Sequence, residues 1–215
     1  MRFLKKSAPV FFVLAIISVA SPSAFGITPA AQAQQTPAGK FIQDLGDQAI
    51  TVMADKSLSS AQRGRKYRHL LQNSFDMKTI GHFVLGRAWN AATPAQRQDF
   101  MKLFEQSVLR TYGDRLNFYS GEKFKVTGAR RENASDSMVG SAVSHTNGAP
   151  PTRIDWRVRD KGGKMAVVDV IVEGVSQSIT QRQEYASILE RNGGDIHALL
   201  DQMRAHLYGS NGHDK

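Results

Sequence analysis

The sequence predicts an α+β fold in which a helical part packs on a four-stranded antiparallel sheet and more helix follows. Three observations predict it. Between residues 37 and 120 apolar side chains recur three and four positions apart, which sets them on one face of a helix. From Glu122 the period falls to two and holds to Gly174, in four runs joined by short turns, the pattern of a meander. Helical spacing then returns between residues 178 and 207. Runs of helix around a single run of strands mean α+β.

The elements follow in order. PAGKFIQDLGDQAITVMAD (37–55) carries Phe41, Leu45, Ile50, Val52 and Met53 at roughly helical spacing. Ser59 or Ser60 caps a second helix that runs to Leu71. FDMKTIGHFVLGRAW (75–89) is short and apolar, and Gly81 and Gly86 divide it. The longest helix spans 93–120, with Thr93 as its cap and Pro94 at the first helical position, where a missing N–H is tolerated. Phe100, Phe104, Val108, Tyr112, Leu116 and Tyr119 form a stripe along it.

The predicted strands are 122–132, 137–145, 152–160 and 165–174, with turns at Asn133–Asp136, at 146–151 and at Lys161-Gly162-Gly163. In the third, Ile154, Trp156 and Val158 face inward and Arg153, Asp155, Arg157 and Arg159 face out. Ser178 or Thr180 caps a helix that Asn192-Gly193-Gly194 ends after Arg191. A final helix covers 195–207, and residues 209–215 are a polar tail.

Compartment is read from the first residues. Arg2, Lys5 and Lys6 precede an apolar run at 10–20, and small and polar residues follow, with Ala31-Gln32-Ala33 at the end. These are the three regions of a secretory signal, so residues 1–33 are expected to be removed by cleavage near Ala33. The apolar run is well short of the ~20 residues that span a bilayer. The expected mature unit is a single exported domain over 34–208. It contains no cysteine, hence no disulfide, lipidated cysteine, thiolate nucleophile or cysteine metal site. Its stability must come from an apolar core, which a chain of roughly 180 residues can build.

The formal net charge is +9. The excess clusters at Arg63, Arg65, Lys66 and Arg68, at Arg130-Arg131, and along Arg153, Arg157, Arg159, Lys161 and Lys164. Such a balance suits anionic partners, although export argues against nucleic acid, and a solvated basic face accounts for it equally well.

Catalytic patterns are sparse. His69, His82, His145, His197, His206 and His213 are scattered without ligand spacing, and no metal site is expected. There is no nucleophile elbow or phosphate loop. Asp169 and Glu173, four positions apart on one face of the fourth strand, are the best catalytic pair and would define an exported hydrolase. A cross-strand charge ladder against the neighbouring arginines is the commoner explanation of such a pair.

The fourth strand, MAVVDVIVEG, is unusual in being apolar on both faces, with Met165, Val167 and Ile171 on one and Ala166, Val168, Val170 and Val172 on the other. Both faces then need cover, from helices or from a ligand. Gly140, Ala142 and Ser144 on one face of the second strand leave room above the sheet, and the aromatic stripe of the long helix offers an opposing wall. Simple interlocking of the two as core explains the pattern as well.

Three segments, FDMKTIGHFVLGRAW, TPAQRQDFMKLFEQSVLRTYGDRL and VVDVIVEGVS, followed by a helix containing Arg182, resemble the toluene-tolerance or MlaC family of periplasmic lipid-binding proteins, over residues 40–207. Gln177 and Gln181 depart from the phospholipid-carrier pattern and look closer to the hopanoid-biosynthesis-associated HpnM branch. The resemblance implies a twisted, NTF2-like sheet with an apolar cavity between it and the helices. It also implies carriage of a phospholipid or hopanoid-type lipid between inner and outer membranes, as the soluble, monomeric component of an ABC-transporter-linked pathway that maintains outer-membrane lipid asymmetry. Partners would be an inner-membrane ABC transporter complex and an outer-membrane lipoprotein or porin complex, met transiently, with no cofactor and no enzymatic step. The lipid-binding cavity would be lined by Phe75, Ile80, Phe83, Val84, Trp89, Phe104, Val108, Tyr112, Ile154, Trp156, Val168, Val170, Val172 and Val175. The alternatives are the hydrolase and a ligand-free adaptor docking through a basic face.

Overall fold

The structure, a computed structural model, describes residues 36–113 and 119–209, so the predicted signal segment, Leu116 and most of the tail lie outside the described residues. The helices are α1 (Pro37–Ala54), α2 (Ser60–Ser74), α3 (Met77–Leu85), the single turn α4 (Ala88–Ala91), α5 (Pro94–Gly113), α6 (Gln177–Arg191) and α7 (Ile196–Tyr208). The strands are β1 (Lys123–Arg131), β2 (Asp136–Ser144), β3 (Thr152–Lys161), β4 (Lys164–Val172) and β5 (Val175–Ser176). They form one antiparallel sheet in sequence order, with five strands rather than the expected four. The added strand is a two-residue return made by the Glu173-Gly174 turn, in which both residues have positive φ, 50° and 82°.

Helix starts are fixed by side chains. Ser59 and Gln62 form a reciprocal capping box, as do Thr93 and Gln96. Ser176 caps α6, in place of the expected Ser178 or Thr180, because the Ser178 hydroxyl donates to Asp169 and that of Thr180 to the Ser176 carbonyl. Gly81 lies inside α3 and does not divide it: a side chain there would collide with Met101. Gly86, at φ 58°, ends the helix.

Two apolar cores result. In the first, α1 and α2 cover one face of the sheet, burying Ile42, Leu45 and Leu70 against Val126, Val139, Val158 and Val167. The second is helical, with Phe100, Leu199, Leu200 and Val84 fully enclosed among α3, α5, α6 and α7. Phe75 packs against both, and the backbone beside it is pinned to β4 by the Asp76 N–H donating to the Val167 carbonyl at 3.0 Å.

The doubly apolar strand is explained by a bulge. Val158 pairs with Val167 and Arg157 with Asp169, so Val168 is the extra residue and the side-chain alternation shifts there. Val167, Val170 and Val172 therefore share a face with Val158, Trp156 and Ile154, and the expected split of Val167 from Val170 and Val172 is corrected. The opposite face carries charge: Arg159 holds Asp136 at 2.7 Å, Arg157 pairs with Glu132, and Arg153 reaches Asp155 at 2.9 Å. Asp155, expected to face solvent, is buried. Gly140 lies opposite it on this charged face, where an added Cβ would sit 3.2 Å from the Asp155 carboxylate.

Candidate functional site

Two hollows open where these cores meet. The first lies among α3, α5, α6 and β4, with a volume of about 170 Å³. Its floor is apolar, built from Phe75, Met77, Ile80, Val84, Phe104, Val108 and Val170, with Tyr185 at the side. The second, about 180 Å³, lies between α1, α2 and the sheet and is lined by Leu45, Ala49, Ile50, Met53, Leu70, Leu71, Phe124, Ile154 and Trp156 among others. Phe75 is the one described residue that lines both.

Local chemistry explains these walls. Gly46 in α1 lets the Phe124 ring approach the helix backbone so closely that any Cβ there would overlap it. Phe124 then meets Trp156 edge to face at 6.2 Å, and the Trp156 ring N–H donates to the Ser141 hydroxyl at 2.9 Å, so the indole turns its apolar body to the second hollow. Tyr185 is nearly enclosed and edge-on to Phe100 at 5.7 Å, and burial pushes its hydroxyl pKa up, so it stays neutral.

Of the residues expected to line a cavity, Phe75, Ile80, Val84, Phe104, Val108 and Val170 line the first hollow and Phe75, Ile154 and Trp156 the second. Five others lie outside both. Phe83 is 40% exposed and carries the Arg182 guanidinium over its ring at 4.9 Å. Trp89 packs edge-on to His82 and under Arg97, which also donates to its carbonyl. Val168 is buried at the bulge, Val172 ends its strand, and Val175 is 55% exposed. The Tyr112 side chain lies outside what is described. Gly140, Ala142 and Ser144 line neither hollow, because their strand turns that face away. Met53, Leu70 and Leu71, none of them among the expected cavity residues, also line the second hollow.

Asp169 and Glu173 do not form a pair. Glu173 sits in the turn and accepts from the Arg153 N–H. The Asp169 carboxylate accepts from the N–H groups of Val170 and Ser178 and from the hydroxyls of Ser176 and Ser178, at 2.7–3.1 Å. Nor is Asp169 in a charge ladder, since Arg157 opposite it is engaged by Glu132. Among the described residues no group of histidines and acids could hold a metal ion.

The MlaC family model matches residues 43–205. The chain belongs to the MlaC family. A toluene tolerance protein, Ttg2D of Pseudomonas putida, is 31% identical over 110 residues, 51% of each chain. The intermembrane phospholipid transport system binding protein MlaC of Haemophilus influenzae is 24% identical over 190 residues, 85% of this chain and 87% of its own. Among solved structures, a phospholipid-binding protein of Ralstonia solanacearum in complex with a phospholipid superposes with a TM-score of 0.67 at 25% identity, covering 78% of this chain and 97% of that one. No described helix is long and apolar enough to cross a membrane.

Proposed function

We propose that this protein is a periplasmic lipid carrier, a single domain over 34–208, that holds acyl or polycyclic hydrocarbon between its sheet and helices. The observation that carries the reading is the pair of apolar hollows meeting at Phe75 in a chain of the MlaC family. A tail of about sixteen carbons left in water costs roughly 13 kcal/mol at ~0.8 per methylene, so an aqueous gap is crossed only inside an apolar shelter. Taken singly, each hollow is smaller than the ~300–1,000 Å³ common for ligand sites. Loading therefore moves Phe75 so that the two become one chamber.

The carrier works between an inner-membrane ABC transporter complex and an outer-membrane lipoprotein or porin complex, as a monomer. Gln177 and Gln181 at the first hollow support a hopanoid-type cargo alongside phospholipid. The test is mass spectrometry of lipids extracted from protein purified out of its native periplasm: a stoichiometric phospholipid or hopanoid is expected, and its reproducible absence refutes the reading.

A further inference from the structure

We propose that the first hollow selects lipids by headgroup: its mouth takes a headgroup that donates hydrogen bonds, an ammonium or a set of hydroxyls, and rejects one that offers only phosphate oxygens. The inference rests on the carrier reading and adds a selectivity to it. No lysine, arginine or histidine lines this hollow among the described residues, although the chain as a whole is strongly basic.

Part of the donor set at the mouth is spent inside the protein, while the hydroxyls of Thr111 and Tyr185 also line the hollow. The Ser107 hydroxyl donates to the Leu103 carbonyl, that of Ser178 to Asp169, and that of Thr180 to the Ser176 carbonyl. Gln177 and Gln181 each use one amide N–H, to the Val175 carbonyl and to Glu184, and neither glutamine's carbonyl oxygen accepts from a described protein group. The first turn of α6, which would attract a phosphate, is already occupied by the protein's own groups: Asp169 takes the Ser178 N–H and Ser176 takes that of Ile179. Asp169 itself is half-buried, satisfied by neutral donors, and has no ion pair among the described residues.

The mouth thus combines acceptors and a few neutral donors with one uncompensated negative charge and no cationic side chain among the described residues. A doubly charged phosphate monoester brought there loses water, meets no cation among the described residues and is repelled by Asp169. An ammonium gains a charge-assisted bond to Asp169, and a polyol gains bonds to the two glutamine carbonyls.

The test is competitive loading of the delipidated protein from vesicles equimolar in dioleoyl phosphatidic acid, dioleoyl phosphatidylethanolamine and monoglucosyl dioleoylglycerol. Identical tails cancel the contribution of the apolar floor. Bound lipid is expected to be at least fivefold depleted in phosphatidic acid, with enrichment of the ethanolamine or the glucosyl lipid identifying which donor is read. Asp169→Asn is expected to abolish ethanolamine enrichment and keep that of the glucosyl lipid. Thr180→Lys, at an exposed position that cannot compromise folding through burial, is expected to raise the phosphatidic acid share severalfold. Bound lipid matching the vesicle composition, or a phosphatidic acid share unmoved by Thr180→Lys, overturns the selectivity and leaves carriage standing. Failure to load any of the three lipids overturns carriage and the selectivity with it.

Discussion

Phe75 is the side chain on which both halves of the molecule depend, since it packs on each core and lines each hollow. It is only half-buried, so Phe75→Ala should cost less than the ~3–5 kcal/mol of a fully enclosed phenylalanine, about 2 kcal/mol by urea denaturation. In exchange the hollows merge. Native mass spectrometry of the variant should show heavier or additional bound lipid, and an unchanged lipid mass would refute the role of Phe75 as partition. A second residue to test is Asp136, on the far face of the sheet. The Arg159 guanidinium outweighs the effect of burial and holds its carboxyl at about 2, below the ordinary carboxylate value. A depressed folded-state pKa gives stability that is complete above the ordinary value near 4 and lost as pH falls towards 2, on the order of 2 kcal/mol. Asp76 contributes in the same window and direction: burial raises its pKa, but bonds from Lys161 and Thr79 prevail and bring it to about 2. Urea midpoints at pH 7 and pH 2.5 should therefore differ more for the wild type than for Asp136→Asn. At this scale the sequence was readable where apolar spacing also fixed direction, as for Ile80, Val84, Phe104 and Val108. It misled at Phe83 and Trp89, because nothing in the spacing tells an apolar ring turned to a cavity from one shielded by Arg182 or Arg97.

At the scale of elements, β4 decides where the hollows open. Its bulge places Val167 and Val170 on one face although three positions separate them. Strict alternation, the only rule available to a reader of the strand alone, separates that pair. A bulge is a relation between two strands, so MAVVDVIVEG by itself contains no sign of it. Helix boundaries at Thr93, Pro94 and Gly86 were legible because these residues act within one turn of where they stand. The cap of α6 instead fell to Ser176, because Ser178 and Thr180 are bonded elsewhere. The bulge yields a sharp contrast between two deletions. Removing Val168 leaves Val158 opposite Val167 and Arg157 opposite Asp169, so every cross-strand partner is kept and the cost is the burial of one valine, roughly 1.5–3 kcal/mol. Removing Val170 turns Ile171 and Val172 to the wrong faces. Circular dichroism and urea titration should find the first deletion folded with reduced stability and the second lacking a cooperative transition. Two indistinguishable deletions would show that the bulge does not set the register.

At the scale of the whole molecule, the proposed cargo and the fold are linked. On the proposed carrier function, hydrocarbon between the two cores would bind the folded state and not the unfolded one, and at a free lipid level one hundred times the dissociation constant it would add about 2.7 kcal/mol. For a chain of this size that is a Tm roughly 5–10 °C higher, which delipidation should remove and vesicles restore. The proposed carrier function also gives the basic surface a part in delivery. Helix α2 contributes Tyr67, Leu70 and Leu71 to the second hollow, while Arg65, Lys66 and Arg68 on the same helix are exposed. A helix with an apolar inner side and a cationic outer side draws the opening towards an anionic surface, each basic residue there contributing about 1 kcal/mol at low salt. Screening shortens that attraction from ~10 Å at 0.1 M salt to ~3 Å at 1 M. Transfer of a fluorescent lipid to phosphatidylglycerol vesicles should accordingly slow by about tenfold across that range, and transfer to uncharged vesicles should not. Arg65→Glu combined with Arg68→Glu, both at exposed positions, should abolish the salt dependence with little change in Tm. A double variant that kept the wild-type salt slope would assign delivery to another face.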